Sequence, residues 1–316
     1  MSFLSVAKLG AARGFRSTVT VASLTAAVLL AAAGCGNHAS GGGSTAPAPL
    51  KVGVIPYDKA DAVATAYTPF ANYMAKKTGL ASYPVSVAPS YVGVIQALKS
   101  DQIDCAYLNP LSYVLAVDQF RDTPEHLVPI GMPFYHNDLM YKGDIFVRTD
   151  SGIKSMKDFR GRSFAFADIT STSGYLYPAG MMKEAGLDPT KDVKAVNISG
   201  GGNVMAVFNK LADGGASYSG SVERALKDPD KIKQMTIIAQ TDPIPNGMFV
   251  ARGNLDPKTI EALKKAIVDI NNEPDGQAAL KTMEFTKWVP ADDSKFDSVR
   301  QKAKILGLDL KSLGDK

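Results

Sequence analysis

From Leu50 onward the chain alternates short apolar runs with amphipathic helical segments, and that alternation admits few folds. LKVGVIPY reads as a buried strand. In the following DAVATAYTPFANYMAKKTG, residues Val63, Ala66, Tyr67, Phe70, Tyr73 and Met74 recur at three- and four-residue steps, and Gly79 ends the helix. PVSVAPS with YVGVIQALKSDQ repeats the pair, and IDCAYL with NPLSYVLAVDQF repeats it again. Strand–helix units in series predict mostly parallel sheets covered by helices on both faces.

The alternation breaks at GDIFVRTDS, a strand that leaves through polar residues. A new series follows: SFAFAD with STSGYLYPAGMMKEAG, VKAVNIS with GGGNVMAVFNKLADG, and GASYSG with SVERALKD. QMTIIAQTDPIPNGMFVARGN, rich in turn formers between two apolar runs, reads as a crossing back, and helices close the chain. The pattern predicts two α/β lobes. Residues 50–148 and 245–316 form the first and 149–244 the second, with a two-strand hinge at crossings near Val147–Ser151 and Asp242–Met248.

The N-terminus has its own logic. Lys8, Arg13 and Arg16 precede an apolar stretch, Val19 to Ala33, so residues 1–34 read as a secretory signal too short for a lasting membrane span. Cys35, directly after Gly34, resembles the acylated cysteine of a bacterial lipobox, with Ala32 where leucine is usual; an ordinary signal cleaved nearby is the competing reading. Residues 35–49 form a Gly/Ser/Pro tether. An exported body anchored through lipid to the outer face of the cytoplasmic membrane is therefore expected. With Cys35 acylated, Cys105 has no disulfide partner and reads as a small buried hydrophobe. The formal net charge of +4 owes three charges to the signal segment, which leaves the body near neutral and gives no support to a nucleic-acid partner.

Open α/β sheets bind ligands at the carboxyl ends of their strands. Three such junctions fall in the second lobe, at Ser171–Gly174, Gly200–Asn203 and Ser219–Ser221. Ser171, Thr172 and Ser173 serve there either as a plain helix cap or as a cradle for an anion at a helix N-terminus. Of the tyrosines at 57, 91, 107, 113, 141 and 218, several lie at strand ends, where a phenol packs half-buried or donates to a ligand; Tyr57 is a candidate among them. The histidines, His38, His126 and His136, have no metal-ligand spacing, and no G-x-S-x-G elbow occurs. Binding without catalysis, metal or cofactor is the expectation.

VGVIP, SYVGVIQALKSDQIDCAYLNPLSYVLA, VRTDSGIKSMKDFRGRSFAFADITSTSGYL and DPIPNGMFVARGNL together resemble the PhnD-like phosphate/phosphite/phosphonate-binding proteins of ABC transporters, from about Val52 to about Leu255. The resemblance implies the type II periplasmic-binding fold, a small phosphorus oxyanion as ligand, an ABC permease as partner and a monomeric protein. It also implies that Ser171, Thr172 and Ser173 hold the oxyanion while Tyr91 and Tyr141 donate from the other lobe. The family's histidine at the Gly-rich turn is missing from SGGGN, and Asn203 stands as its replacement. Acidic residues that some members use near the third junction and in the return segment are missing as well, from Ser219-Gly220-Ser221 and Asn246-Gly247. A site without carboxylates disfavours ammonium-bearing phosphonates, although Asp58 and Asp61 after the first strand could still supply one. Phosphate, phosphite or methylphosphonate is therefore expected, with phosphite and methylphosphonate at least equal to phosphate because no buried acid is evident to accept its proton. A sulfonate or other small anion, or a ligand-sensing role, is the alternative.

Overall fold

The computed structural model describes residues 47–121, 123 and 126–308. The expected signal peptide, Cys35 and the tether up to residue 46 lie outside the described residues. The chain begins with β1 (Pro49–Leu50) and β2 (Val52–Val54), then α1 (Ala60–Thr78), β3 (Ala81–Ser82), β4 (Ser86–Val87) and α2 (Tyr91–Lys99). β5 (Cys105–Leu108), α3 (Pro110–Phe120), β6 (Leu127–Tyr135) and the short β7 (Met140–Tyr141) complete this half. α1 buries Val63, Tyr67, Phe70, Ala71 and Met74 along one stripe, and Gly79 caps it in a left-handed conformation, donating to the Ala75 and Lys76 carbonyls.

The second half starts at β8 (Gly143–Arg148) and β9 (Ser163–Phe166), followed by α4 (Tyr177–Glu184), β10 (Lys194–Asn197) and α5 (Asn203–Phe208). β11 (Gly214–Tyr218), α6 (Ser221–Leu226), α7 (Pro229–Ile232) and β12 (Met235–Gln240) finish it. β13 (Ile244–Pro245) leads back into β14 (Met248–Arg252), α8 (Pro257–Asp269), α9 (Pro274–Thr282), β15 (Phe285–Pro290) and α10 (Asp297–Ile305).

Two sheets result. One has the order β15-β6-β14-β5-β2-β4 and the other β10-β9-β11-β8-β12. In each, the strand–helix series pairs in parallel, β4 with β2 with β5 and β10 with β9 with β11. The strands that follow or precede a crossing pair antiparallel, so the first sheet has three antiparallel pairings to two parallel and the second two of each, which corrects the expectation of mostly parallel sheets.

The first crossing falls earlier than expected. GDIFVR is a central strand of the second sheet, between β11 and β12, so the chain changes lobes at Lys142 and not near Val147–Ser151, and residues 143–148 move from the first lobe to the second. The polar run after it turns at the far end of that lobe, where Arg148 pairs with Asp150 at 2.9 Å. The hinge itself is a two-stranded ribbon, Ile244 opposite Tyr141 and Pro245 opposite Met140. Behind it the lobes share apolar packing: Leu176 and Tyr177 belong to the same core cluster as Phe296 and Val299.

The first lobe's core stacks Phe70 on Trp288 at 5.2 Å and sets Phe249 edge-on to Phe70 at 5.0 Å. Cys105 is fully buried among apolar neighbours, and burial pushes its thiol pKa up. Arg252 ties the sheet's end: its Nη2 donates to Asp104 Oδ1 at 2.8 Å, and Asp104 Oδ2 accepts the Lys51 N–H at 2.8 Å. Arg252→Ala would leave that buried carboxylate unpaired, and its expected cost is about 3–5 kcal/mol in urea unfolding. A change below 1 kcal/mol would show the pair to be solvated.

Candidate functional site

The junction after β9 is built by local hydrogen bonds. Asp168 Oδ1 accepts the Thr170 N–H at 2.9 Å and the Thr170 hydroxyl at 2.8 Å, turning the chain off the sheet. Ser171 then caps the next helical turn, accepting the Gly174 N–H on its hydroxyl at 3.2 Å. Residues Thr172–Leu176 wind as a π turn, with the Leu176 N–H on the Ser171 carbonyl at 3.0 Å, before α4 continues. Gly174 makes the wide turn possible: a Cβ there would lie 2.4 Å from Ala167 Cβ. Among the described residues, no acceptor pairs the N–H groups of Thr172 and Ser173.

The opposite lobe reaches into this loop with the N-termini of two helices. The Tyr91 N–H, first in α2, points to Asp168 Oδ2 at 3.4 Å. At α3, Asn109 caps the Ser112 N–H at 2.8 Å and donates its amide to the Thr170 carbonyl at 3.2 Å. The Thr172 hydroxyl accepts the Leu111 N–H at 2.9 Å and donates to Asn109 Oδ1 at 3.2 Å. A hydroxyl with both roles taken in this way is a bond between lobes. The Tyr91 phenol meets the Ser171 hydroxyl, and the Tyr141 phenol meets the hydroxyls of Ser173 and Thr172. Burial pushes both phenols well above their ordinary pKa, so they remain O–H donors at neutral pH.

These groups line one cavity of ≈ 140 Å³ between the lobes. All seven expected ligand residues, Tyr57, Tyr91, Tyr141, Ser171, Thr172, Ser173 and Asn203, are on its wall. Asn203 is internally committed, its amide donating to the Ala216 carbonyl and its oxygen accepting the Val204 N–H at 3.2 Å. The third junction contributes Ser217 and Tyr218 to the wall; Ser219 turns away to donate to Asp144 at 2.6 Å. Tyr113 lies elsewhere, in the core, with its hydroxyl on Asp293 at 2.7 Å.

The expectation of a cavity without acids is corrected. Asp168 and Glu284 line it, together with one cation, Arg224. Asp168 lies three residues before Ser171, and the D-x-T spacing of a side-chain-stabilised turn was the signal for it. Arg224 and Glu284 form an ion pair across the cleft, from α6 in one lobe to the turn after α9 in the other. No local signal joins them, because their pairing exists only after both lobes fold and meet.

Gly201 brings the glycine-rich turn against the first lobe. Its φ is +73°, and a Cβ there would lie 3.1 Å from the Tyr57 carbonyl oxygen and 3.3 Å from Asp58 Cα.

Two α/β lobes on a ribbon hinge, closing on a polar cavity, define the class of bilobal solute-binding proteins. The chain belongs to the family described as ABC transporter, phosphonate, periplasmic substrate-binding protein, whose model matches residues 52–296. It is 27% identical to the phosphate-import protein PhnD of Mycolicibacterium smegmatis, over 91% of this chain and 96% of that one. It is 26% identical to the phosphonates-binding periplasmic protein of Escherichia coli, over 80% and 75% of the two chains. Among solved structures, a binding protein component of an ABC phosphonate transporter from Pseudomonas aeruginosa superposes with a TM-score of 0.74 at 25% identity, covering 83% of this chain and 87% of that one.

Gly201→Ala and Gly200→Ala separate backbone strain from cleft contact. Both glycines have positive φ, but a Cβ at Gly200 meets open space. Each substitution is expected to cost about 1–2 kcal/mol of stability from the left-handed backbone. Only Gly201→Ala should widen the cleft, read as a larger radius of gyration by small-angle scattering than the Gly200→Ala protein. Equal radii would mean that this contact does not limit closure.

Proposed function

We propose that this protein is the solute-binding component of an ABC importer, holding a small phosphorus oxyanion between its lobes and delivering it to a permease unchanged. The observation that carries the reading is the convergence at the Ser171–Ser173 loop. Two unpaired backbone N–H groups, the hydroxyls of Ser171 and Ser173 and the phenols of Tyr91 and Tyr141 meet there from opposite lobes. Donors of that kind, at the start of a helix, match the oxygens of a tetrahedral anion. The names of the mycobacterial and E. coli relatives, a phosphate importer and a phosphonates binder, support the same ligand class.

Asp168 refines the choice of anion. Its Oδ1 is saturated by Thr170, while Oδ2 has only the distant Tyr91 N–H. An oxyanion that keeps a proton can donate it to Oδ2; sulfate has none at neutral pH and would set a bare charge against the carboxylate. This restores phosphate to equal rank with phosphite and methylphosphonate. Calorimetry of the purified protein is expected to detect these three and not sulfate. Ser171→Ala and Thr172→Ala should each weaken binding by about 1–3 kcal/mol, Ser171 as a direct donor and Thr172 through the lost bond to Asn109. Parent-like affinity in both variants would leave the cluster as a helix cap alone.

The working place of such a protein is outside the cytoplasmic membrane, as a monomer held there by lipid on Cys35. LAAAGC and the Gly/Ser/Pro stretch behind it support that reading. Mass spectrometry of the mature N-terminus should find Cys35 first and carrying acyl mass; cleavage elsewhere or an unmodified thiol would overturn the anchor.

A further inference from the structure

The cavity wall also carries a partly exposed group of side chains outside the Ser171–Ser173 loop. Arg224 and Glu284 pair across the cleft, with the guanidinium and carboxylate 37% and 45% exposed. Tyr57, Tyr135 and Tyr218 surround the pair: Tyr135 donates to Glu284 Oε2 at 3.4 Å, and Tyr57 and Tyr218 meet edge to face at 6.4 Å. Both of the latter rings, like Tyr135, feel the Arg224 charge directly. Aromatic faces beside a carboxylate are the chemistry that recognises an ammonium group. Here the carboxylate already has its cation.

Glu284 also occupies an unusual backbone position. It follows the C-cap of α9 with φ of 60°, in the left-handed region where helix ends favour glycine or asparagine. A non-glycine residue held there carries strain, and such residues concentrate at functional sites. The side chain at this position reaches the cavity wall and the opposite lobe.

We propose that the Arg224–Glu284 pair is a selectivity gate against ligands with a cationic tail. With Arg224 in place, Glu284 is neutralised and an ammonium entering here would find that carboxylate already paired. Without Arg224, the same carboxylate, walled by Tyr57, Tyr135 and Tyr218, is an ammonium subsite in the cavity that the Ser171–Ser173 loop also lines. The class of ligand it would then admit is the aminoalkylphosphonates. Selection between tail-free and amino-tailed phosphorus oxyanions thus rests on one arginine. The inference depends on the oxyanion reading of the cleft.

The test is calorimetry of the full chain with phosphite, ethylphosphonate and 2-aminoethylphosphonate, on the parent, Arg224→Ala and the double variant Arg224→Ala/Glu284→Ala. Thermal unfolding of each checks the fold. In Arg224→Ala, affinity for 2-aminoethylphosphonate is expected to rise about tenfold or more, as one desolvated cation contact allows. Ethylphosphonate should gain little, and phosphite should weaken a few-fold through the lost contact between lobes. The double variant should lose the gain. If Arg224→Ala gains nothing, or gains equally for the ethyl and aminoethyl ligands, or keeps its gain without Glu284, the gate is overturned. A parent that binds no phosphorus oxyanion overturns the oxyanion reading and the gate with it, whereas a parent that binds phosphite isolates the fate of the gate.

Discussion

The hydroxyl of Thr172 accepts from one lobe's backbone and donates to the same lobe's Asn109, and the closed cleft is organised around that pair of bonds. Thr172 and Asn109 are both buried, and each completes the other's neighbourhood. Asn109 caps α3 and holds the Thr170 carbonyl; Thr172 supplies α3 with a partner for the Leu111 N–H. Buried polar groups of this kind are costly when unpaired and contribute about 1 kcal/mol each when paired. In an open cleft water must replace every one of these partners. The lobes therefore meet in one register, set by hydrogen bonds whose geometry tolerates little slip. Threonine suits the position because its branched side chain is stiff at χ1, so the hydroxyl is aimed before closure.

The hinge leaves this meeting free to occur. Only two residue pairs join the ribbon, so few backbone dihedrals need to change for the lobes to part. On the opposite side of the ribbon, Leu176 and Tyr177 pack with Phe296 and Val299, an apolar seam that keeps the lobes together behind the cleft. Lys302 of α10 adds an ion pair to Asp242 at 3.3 Å, beside the second crossing. Opening is thereby confined to the cavity side. A closure built from a handful of bonds worth about 1 kcal/mol each lies within the few kcal/mol that a bound anion can bias.

What the sequence discloses follows from how local each feature is. Helix stripes such as Val63, Tyr67, Phe70 and Met74, and the apolar strands between them, are periodic in the chain itself, so the two α/β lobes are legible. The first crossing is not, because GDIFVR is apolar enough for either sheet and its polar tail, Arg148–Asp150, looks like an exit from the fold. Burial of β8 between two partners is decided by tertiary pairing alone. At the site, STSG and the turn before it are local and readable, and Tyr91 and Tyr141 follow from the family likeness. The hydroxyl of Thr172 reads as a ligand donor from sequence but is bonded to the other lobe, a fact that depends on residues 61 and 63 positions away. Glu284 carries no local mark of function at all, since its partner lies 60 residues earlier in another lobe.

The charges on the cavity wall bear on how such a site can both hold and release an anion. Asp168, Arg224 and Glu284 leave the wall with a net negative formal charge, and the one cation is paired with a carboxylate. Attraction by a free point charge is therefore not the source of binding. On the oxyanion reading, the Thr172 turn leading into α4 would supply it instead, while the first N–H groups of α2 and α3 converge on the same loop and are taken there by Asp168 and Thr172. Dipoles fixed in this way act strongly at contact and fall off within a turn, so they would hold an anion when the lobes meet and let go when they part. Because exposed charges contribute little, affinity in such a site is set by geometry more than by ionic strength. Holding of that kind would make the lobe–lobe register the switch for affinity, and the bonds of Thr172 and Asn109 set that register.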